Sequence, residues 1–262
     1  MTGRTALVTG ASSGFGREFA RLFAADGFDV ALVARTGAVL EELAQEIEVR
    51  HAVTAHVLPL DLARPSAPRE LVSELTARRV RVDALVNSAG FNRFGPFVEG
   101  DERRILELLQ VNMAALTHLT RLVLPGMIQR GWGRIVNLSS NAAFQPGPMM
   151  ADYYASKAYV LSLSIALSEE LRGTGVHVTA LCPGPTSTGF QRAARMEDPR
   201  LVAGRELADV TEVAAWGYRQ MKRGRAFAVQ GARWRTLAFS TRFVPRTTAA
   251  RIIAMAQRSL SG

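Results

Sequence analysis

The sequence predicts an α/β protein, a doubly wound parallel sheet of about seven strands with a helical C-terminal extension. Two observations and one rule of chain topology lead there. Short runs rich in Val, Leu and Ala alternate with longer segments of helical periodicity. Such near-continuous apolar strands suit a parallel sheet covered by helices on both faces. A glycine-rich turn directly follows the first strand. Because crossovers between parallel strands are right-handed, the favoured topology is doubly wound.

The elements run in order along the chain. Residues 4–9, RTALVT, read as a buried strand, followed by the turn and a helix over 14–26. FDVALVA (28–34) is the second strand, and 36–50 places Leu40, Leu43 and Ile47 at helical spacing. VTAHVLPLD (53–61) is the third strand; the next helix starts at Pro65 and Pro68 and runs to about Arg79. VDALVNSAG (82–90) is the fourth strand, and a long helix over 101–130 is expected to break near Pro125. GRIVNLSS (133–140) is the fifth strand, 152–173 a helix ending in Gly-Thr-Gly, and VHVTALC (176–182) the sixth strand. A helix over 209–223 and a short strand in RAFAVQG (225–231) complete the repeat. Residues 232–262 continue the same domain as one or two helices, with Pro245 as the break.

The composition narrows the class. The 262 residues, 48% apolar, suit one domain with a substantial core. Cys182 is the single cysteine, so no internal disulfide forms. The N-terminus enters strand-like sequence at once and no run of eighteen apolar residues occurs, which predicts a cytoplasmic protein. The net charge of +9 is localised. The last fifty residues, from Val213, hold ten Lys/Arg and no acid, leaving the remainder close to neutral. No specific nucleic-acid binding is predicted from that distribution. Only two of the 32 basic residues are lysines, Lys157 and Lys222.

TGASSGFG, Thr9 to Gly16, sets Gly10, Gly14 and Gly16 between strand and helix, with Ser12, Ser13 and Phe15 in the turn. A dinucleotide pyrophosphate needs a backbone without side chains in the way, and the helix N-terminus supplies free N–H groups and partial positive charge. The strand–turn–helix context is what such a motif requires. An acid at the end of the second strand would bond the ribose 2′-hydroxyl of NAD. Here Ala34 stands in that place with Arg35 next, a cation suited to a 2′-phosphate, which favours NADP(H) over NAD(H). Asp61, ending the third strand, is placed for the adenine ring or for a helix N-cap. DYYASK, residues 152–157, carries two adjacent tyrosines before one of the two lysines. Helical geometry leaves both candidates open, since residues three and four apart share a face.

Taken together, TGASSGFG, DL (61–62), NSAG (87–90), VN (111–112), IVNLSS (135–140), YYASK (153–157) and PGPTST (183–188) resemble the short-chain dehydrogenase/reductase family, in the family's order, over residues 4 to about 231. The resemblance implies a Rossmann-type fold and an oxidoreductase moving a hydride between NADP(H) and a carbonyl or secondary alcohol. It assigns the acid to Tyr153, four residues before Lys157 and thirteen after Ser140. Tyr154 fits neither spacing. In that chemistry Tyr153 donates a proton, Lys157 lowers its pKa and holds the nicotinamide ribose, and Ser140 stabilises the developing oxyanion. Asn112 would hold a water that relays protons to the lysine. Further cofactor contacts implied by resemblance are Leu62, Asn87, Ala89, Gly90, Pro183, Gly184 and Thr188. A homodimer or homotetramer is implied in the same way.

The expected substrate walls are Asn141, Phe144, Met149, Tyr154 and Phe190, with Phe94, Pro146 and Met150, mostly apolar, which suits a hydrophobic ketone, aldehyde or secondary alcohol. The extension mixes Trp234, Leu237, Phe239, Phe243, Ile252, Ile253 and Met255 with spaced arginines. Peripheral membrane contact, an oligomer contact, a pocket lid, attraction of an anionic substrate, and a plain helical cap are all compatible with it. The rival from another class is a catalytically quiet NADP(H)-binding scaffold or sensor acting through this basic surface.

Overall fold

Strands whose residues are buried on alternate sides need a layer of helices above and below, and that is what the chain builds. A computed structural model describes residues 3–187 and 207–258. The predicted Thr188 and Phe190 lie outside the described residues. The elements are β1 (Thr5–Thr9), α1 (Gly14–Ala25), β2 (Asp29–Ala34), α2 (Gly37–His51), β3 (Ala55–Pro59), α3 (Ala67–Ala77) and β4 (Val82–Asn87). They continue with α4 (Glu102–Leu109), a π-helical turn (Gln110–Ala115), α5 (Leu116–Gln129), β5 (Gly133–Leu138), α6 (Ala151–Glu170) and β6 (Val176–Cys182). A two-residue ladder pairs β7 (Thr186–Ser187) with β8 (Ala208–Asp209), ahead of α7 (Val210–Lys222) and β9 (Phe227–Val229). Helices α8 (Ala232–Ser240) and α9 (Arg246–Arg258) come last.

The seven-stranded sheet has the order β3-β2-β1-β4-β5-β6-β9, and every pairing is parallel. This is the doubly wound arrangement, with the strand order reversing between β1 and β4, where ligands bind in such sheets. Register aligns Thr9 with Asn87 and Asn87 with Asn137, so the ends of β1, β4 and β5 lie side by side.

The period-two alternation divides the core. Ala6 and Val8 join Phe19, Phe23 and Leu32 under α1 and α2, while Leu7 joins Leu71, Leu85 and Leu119 under α3 and α5. Phe23 meets Tyr218 edge-on at 5.0 Å, which seats α7 on α1. Between β4 and β5 a polar chain crosses the interior. Asn87 Nδ2 donates to Asn137 Oδ1 at 2.9 Å, and Asn137 Nδ2 donates to Ser164 Oγ at 2.9 Å. All three are buried, and each finds a partner, as buried amides must.

The expected break at Pro125 does not occur. Pro125 sits inside α5, and the irregularity falls earlier in the chain, at the π turn. The extension does divide at Pro245 into two helices.

Candidate active site

The glycine turn is built by steric necessity. Gly10 has φ +69°, and a Cβ there would come 2.9 Å from the Ala89 nitrogen. A Cβ on Gly16 would fall 2.2 Å from the Gly10 carbonyl oxygen, so α1 can start this close to β1 only with glycine. Thr9 ties the turn to β4: its hydroxyl donates to the Val86 carbonyl and accepts from the Ser88 and Ala89 N–H groups, each at 3.1 Å. Ser13 caps α1 without a side-chain bond, leaving the first-turn N–H groups for an anion. A cleft opens above them, lined by Gly10, Ser12, Ser13, Gly14 and Phe15 from the turn, and by Arg35, Asp61 and Leu62 beyond β2 and β3. Ala89 and Gly90 close its far wall. The residues present fit a dinucleotide: a side-chain-free cradle, a helix N-terminus and a cation at one end.

Gly16 is a packing residue of the cradle and does not line the cleft. Asn87 differs from expectation: its amide is spent on Asn137 and on Thr120 Oγ1 at 3.2 Å, inside the sheet. Asp61 does not cap α3; its Oδ1 accepts from the Ala63 N–H at 3.0 Å in the preceding turn. Arg104 of α4 was missed. It lines the cleft, stacked 3.8 Å over the Phe91 ring, and only the fold brings it into the same cleft as Arg35.

Past Gly90 lie the catalytic candidates. The buried stripe of α6 runs Tyr153, Ser156, Lys157, Val160, Leu161, Ser164, a helical spacing that turns Tyr153 and Lys157 inward together. Tyr154 lies off the stripe and is half-buried. Ser140 follows β5; its hydroxyl bonds the Tyr153 phenol, donates to Asn141 Oδ1 at 3.1 Å, and accepts from the Ala142 N–H. Lys157 Nζ donates to the Leu138 carbonyl at 2.7 Å and stands 5.6 Å from the Tyr153 ring centre. Asn112 lies in the π turn, a helical irregularity common at functional sites. Its Nδ2 donates to the Phe91 carbonyl and Ser156 Oγ, and its Oδ1 accepts from the Phe91 N–H at 3.1 Å. A Cβ on Gly90 would meet Asn112 Oδ1 at 3.0 Å and Lys157 Nζ at 3.7 Å. Ser140, Tyr153, Lys157 and Asn112 thus converge beside the end of the dinucleotide cleft.

The family model for short chain dehydrogenases matches residues 4–199. The chain belongs to the short chain dehydrogenase family. A very-long-chain 3-oxoacyl-CoA reductase of Laccaria bicolor is 40% identical over 183 residues, 68% of this chain and 54% of that enzyme. The chain therefore spans about half that relative's length. A solved short-chain dehydrogenase from Sphingobium yanoikuyae, in complex with NADPH, superposes with a TM-score of 0.82 at 33% identity, covering 91% of this chain and 93% of the other. Another, from Burkholderia phymatum in complex with NAD, gives 0.80 at 25% identity over 90% and 91%. The two solved relatives thus carry the phosphorylated and the unphosphorylated nicotinamide dinucleotide respectively.

Burial sets the charge states of the pair. It pushes the Tyr153 phenol up to about 12, against the opposing pull of the Ser140 hydrogen bond. Burial likewise lowers the Lys157 ammonium to about 8. The expected lowering of the phenol by Lys157 does not appear in the protein alone, where desolvation dominates. A buried ion pair flanks the tyrosine: Arg93 Nε donates to Asp152 Oδ2 at 2.6 Å, and Asp152 Oδ1 accepts from the Tyr153 N–H at 2.8 Å. Nothing in the sequence singled Arg93 out.

The substrate walls divide. Asn141 touches Ser140, while Phe94 and Met150 pack around Tyr153. Phe144 and Tyr154 line a separate groove of about 560 Å³ with Pro146 and with Arg246 from α9. Met149 takes a left-handed φ of 65°, its carbonyl accepting from the Gly95 N–H. After β6, Pro183 is buried with its carbonyl bonded to the Asn141 N–H. Gly184 lies against the indole of Trp234, whose Nε1 would be 2.5 Å from a Cβ there. The extension therefore packs on the turn expected to hold the nicotinamide.

Proposed function

We propose that this dehydrogenase is an NADP(H)-dependent carbonyl reductase or alcohol dehydrogenase acting on a hydrophobic ketone, aldehyde or secondary alcohol. The convergence of Ser140, Tyr153 and Lys157 next to Gly90 carries the reading. A bound nicotinamide dinucleotide supplies or accepts the hydride. Tyr153 remains protonated at neutral pH with its phenol near 12, so it is a proton donor ready for a carbonyl oxygen. Ser140 shares that hydrogen bond and positions the oxygen as charge grows on it. Lys157 places a cation behind the phenol that favours its anion once the proton has left. Asn112 fixes the loop carrying Gly90 and Phe91 through two hydrogen bonds to Phe91, and ties it to α6 through a third to Ser156. In the oxidative direction Tyr153 takes the proton back.

Tyr153→Phe should lower turnover by roughly 10²- to 10⁴-fold while leaving dinucleotide affinity near wild type. The assay is NADPH oxidation over a panel of ketones and aldehydes, with affinity read by nucleotide fluorescence. Undiminished turnover would overturn the assignment. Arg35, exposed at the cleft edge with no acid at Ala34, supports NADP(H). Arg35→Ala should raise KM for NADPH about tenfold or more and leave that for NADH nearly unchanged. Equal changes for both would remove the 2′-phosphate role. For assembly, the outer face of α4 and α5 presents an apolar groove with Leu106 and Met113, facing Tyr159 of α6. Pairing of two copies there is the reading the family resemblance suggests, and sedimentation velocity tests it.

A further inference from the structure

Helices α8 and α9 are short enough to need partners, and they bury little of themselves against the rest of the described chain. Short helices are marginal in water unless an apolar face is buried. Yet no described side chain from Ala232 to Met255 is buried. Phe243 is 74% exposed, Met255 64%, Phe239 58%, Ile252 53% and Leu237 40%. Single exposed apolar residues are ordinary, but five on two consecutive helices and the turn between them make a patch that marks an interaction surface. Phe239 and Phe243 stack edge-on at 5.4 Å across the turn between the helices, and Arg242 lies 5.7 Å over Phe239. On α9, Arg251, Ile252 and Met255 share one exposed face.

The charge around the patch has one sign. Arg233, Arg235, Arg242, Arg246 and Arg251 belong to these helices and the turn between them, which contain no Asp or Glu. Among the described residues, none of these five pairs with a carboxylate. That choice of side chains discriminates between occupants. A second copy meeting this face with its own would set arginine against arginine. A nucleic-acid backbone matches the cations and leaves the phenylalanines in water. An anionic lipid surface satisfies both: the apolar side chains enter the acyl boundary and the guanidinium groups reach the headgroups.

We propose that α8 and α9 form a peripheral docking surface for anionic lipid bilayers. The helices lie on the surface; no described helix is long and apolar enough to cross a membrane. The docked face adjoins the substrate side of the molecule. Trp234 of α8 packs on Gly184, and Arg246 of α9 borders the groove of Phe144 and Tyr154. Lipid docking of this kind is independent of the oxidoreductase reading.

The test is co-sedimentation of the full chain with vesicles of phosphatidylcholine alone, or with about 30 mol % phosphatidylglycerol. Binding should require the anionic lipid and weaken with salt. Two double variants address the two halves of the surface: Phe239→Ser with Phe243→Ser, and Arg242→Glu with Arg251→Glu. Each should lower the partition coefficient about tenfold or more, with turnover of a water-soluble ketone unchanged. Absence of wild-type binding to anionic vesicles overturns the proposal. So does binding by both double variants that equals the wild type's. A wild-type chain that ignores vesicles, with an apolar double variant that drops to a smaller assembly on size exclusion, would identify a second copy as the occupant instead.

Discussion

Lys157 combines usefulness with thermodynamic cost. Burial lowers its pKa from 10.5 to about 8. Below pH 8 it is charged in both folded and unfolded chains, and the folded state carries the whole desolvation cost. Between 8 and 10.5 the folded lysine is neutral while the unfolded one keeps its proton, so stability rises with pH across that window. The shift is worth up to about 3 kcal/mol, less whatever the hydrogen bond to Leu138 returns. Lys157→Met should therefore melt higher than wild type near neutral pH, and the gain should shrink as pH climbs from 8 toward 10.5. Tyr153 acts in the other direction: its raised pKa gives stability that is lost as pH climbs from 10 to about 12. That contribution changes only above about pH 10, so it leaves the comparison between pH 8 and 10 untouched. Thermal melts at several pH values, with turnover measured alongside, check this. A variant that gains stability and loses activity marks a residue held in place by function. A variant that melts lower at neutral pH would show the Leu138 bond to outweigh burial.

Among the elements, the turn from β1 into α1 was fully legible and the helix after β4 was not, for the same physical reason. Sequence speaks clearly where backbone geometry admits one residue type. Gly16 stands where a Cβ would overlap the Gly10 carbonyl at 2.2 Å. Gly16→Ala must push α1 away from β1, and a shift of an ångström or so misplaces the N–H cradle. The expected result is a dinucleotide Kd raised at least about tenfold together with a lower melting temperature. Isothermal titration beside differential scanning calorimetry separates the two effects, and an unchanged Kd would mean that the cradle is more pliant than its contacts imply. The π turn at Gln110–Ala115 offers no such signature, since its residues are ordinary helix formers and Pro125 is the conspicuous breaker nearby. Its geometry is set by tertiary contact: Asn112 spends its amide on Phe91 and Ser156. The same limit hid Arg93 and Arg104, whose roles depend on partners 59 residues away and on a ring in another loop. Tyr153 was singled out over Tyr154 by the family resemblance, and the buried stripe of α6 turns Tyr153 and Lys157 inward together.

At the scale of the whole molecule, charge and burial separate along the chain. The sheet is complete at β9, and each layer of its core draws on residues before Ala232. Beyond β9 the chain adds arginines and exposed apolar surface, with none of the described side chains from Ala232 to Met255 buried. The folding core and this exposed apolar surface thus lie in different parts of the polypeptide. If so, ending the chain at Gly231 should remove little folding energy. The truncated protein should remain folded, with a melting temperature within about 5 °C of wild type, the shift expected for roughly 1–2 kcal/mol in a domain of this size. Function should change selectively. Trp234 no longer covers Gly184, and Arg246 no longer borders the groove of Phe144 and Tyr154. A small water-soluble ketone should still be turned over, while KM for a bulky hydrophobic one should rise several-fold, by about 1 kcal/mol of lost contact. Circular dichroism with two-substrate kinetics decides the matter. A truncated chain that aggregates would place α8 and α9 inside the minimal fold. Parallel loss of both substrates would mean that Trp234 supports the catalytic end of the sheet itself, because Gly184 adjoins Pro183, whose carbonyl holds the Asn141 N–H beside Ser140.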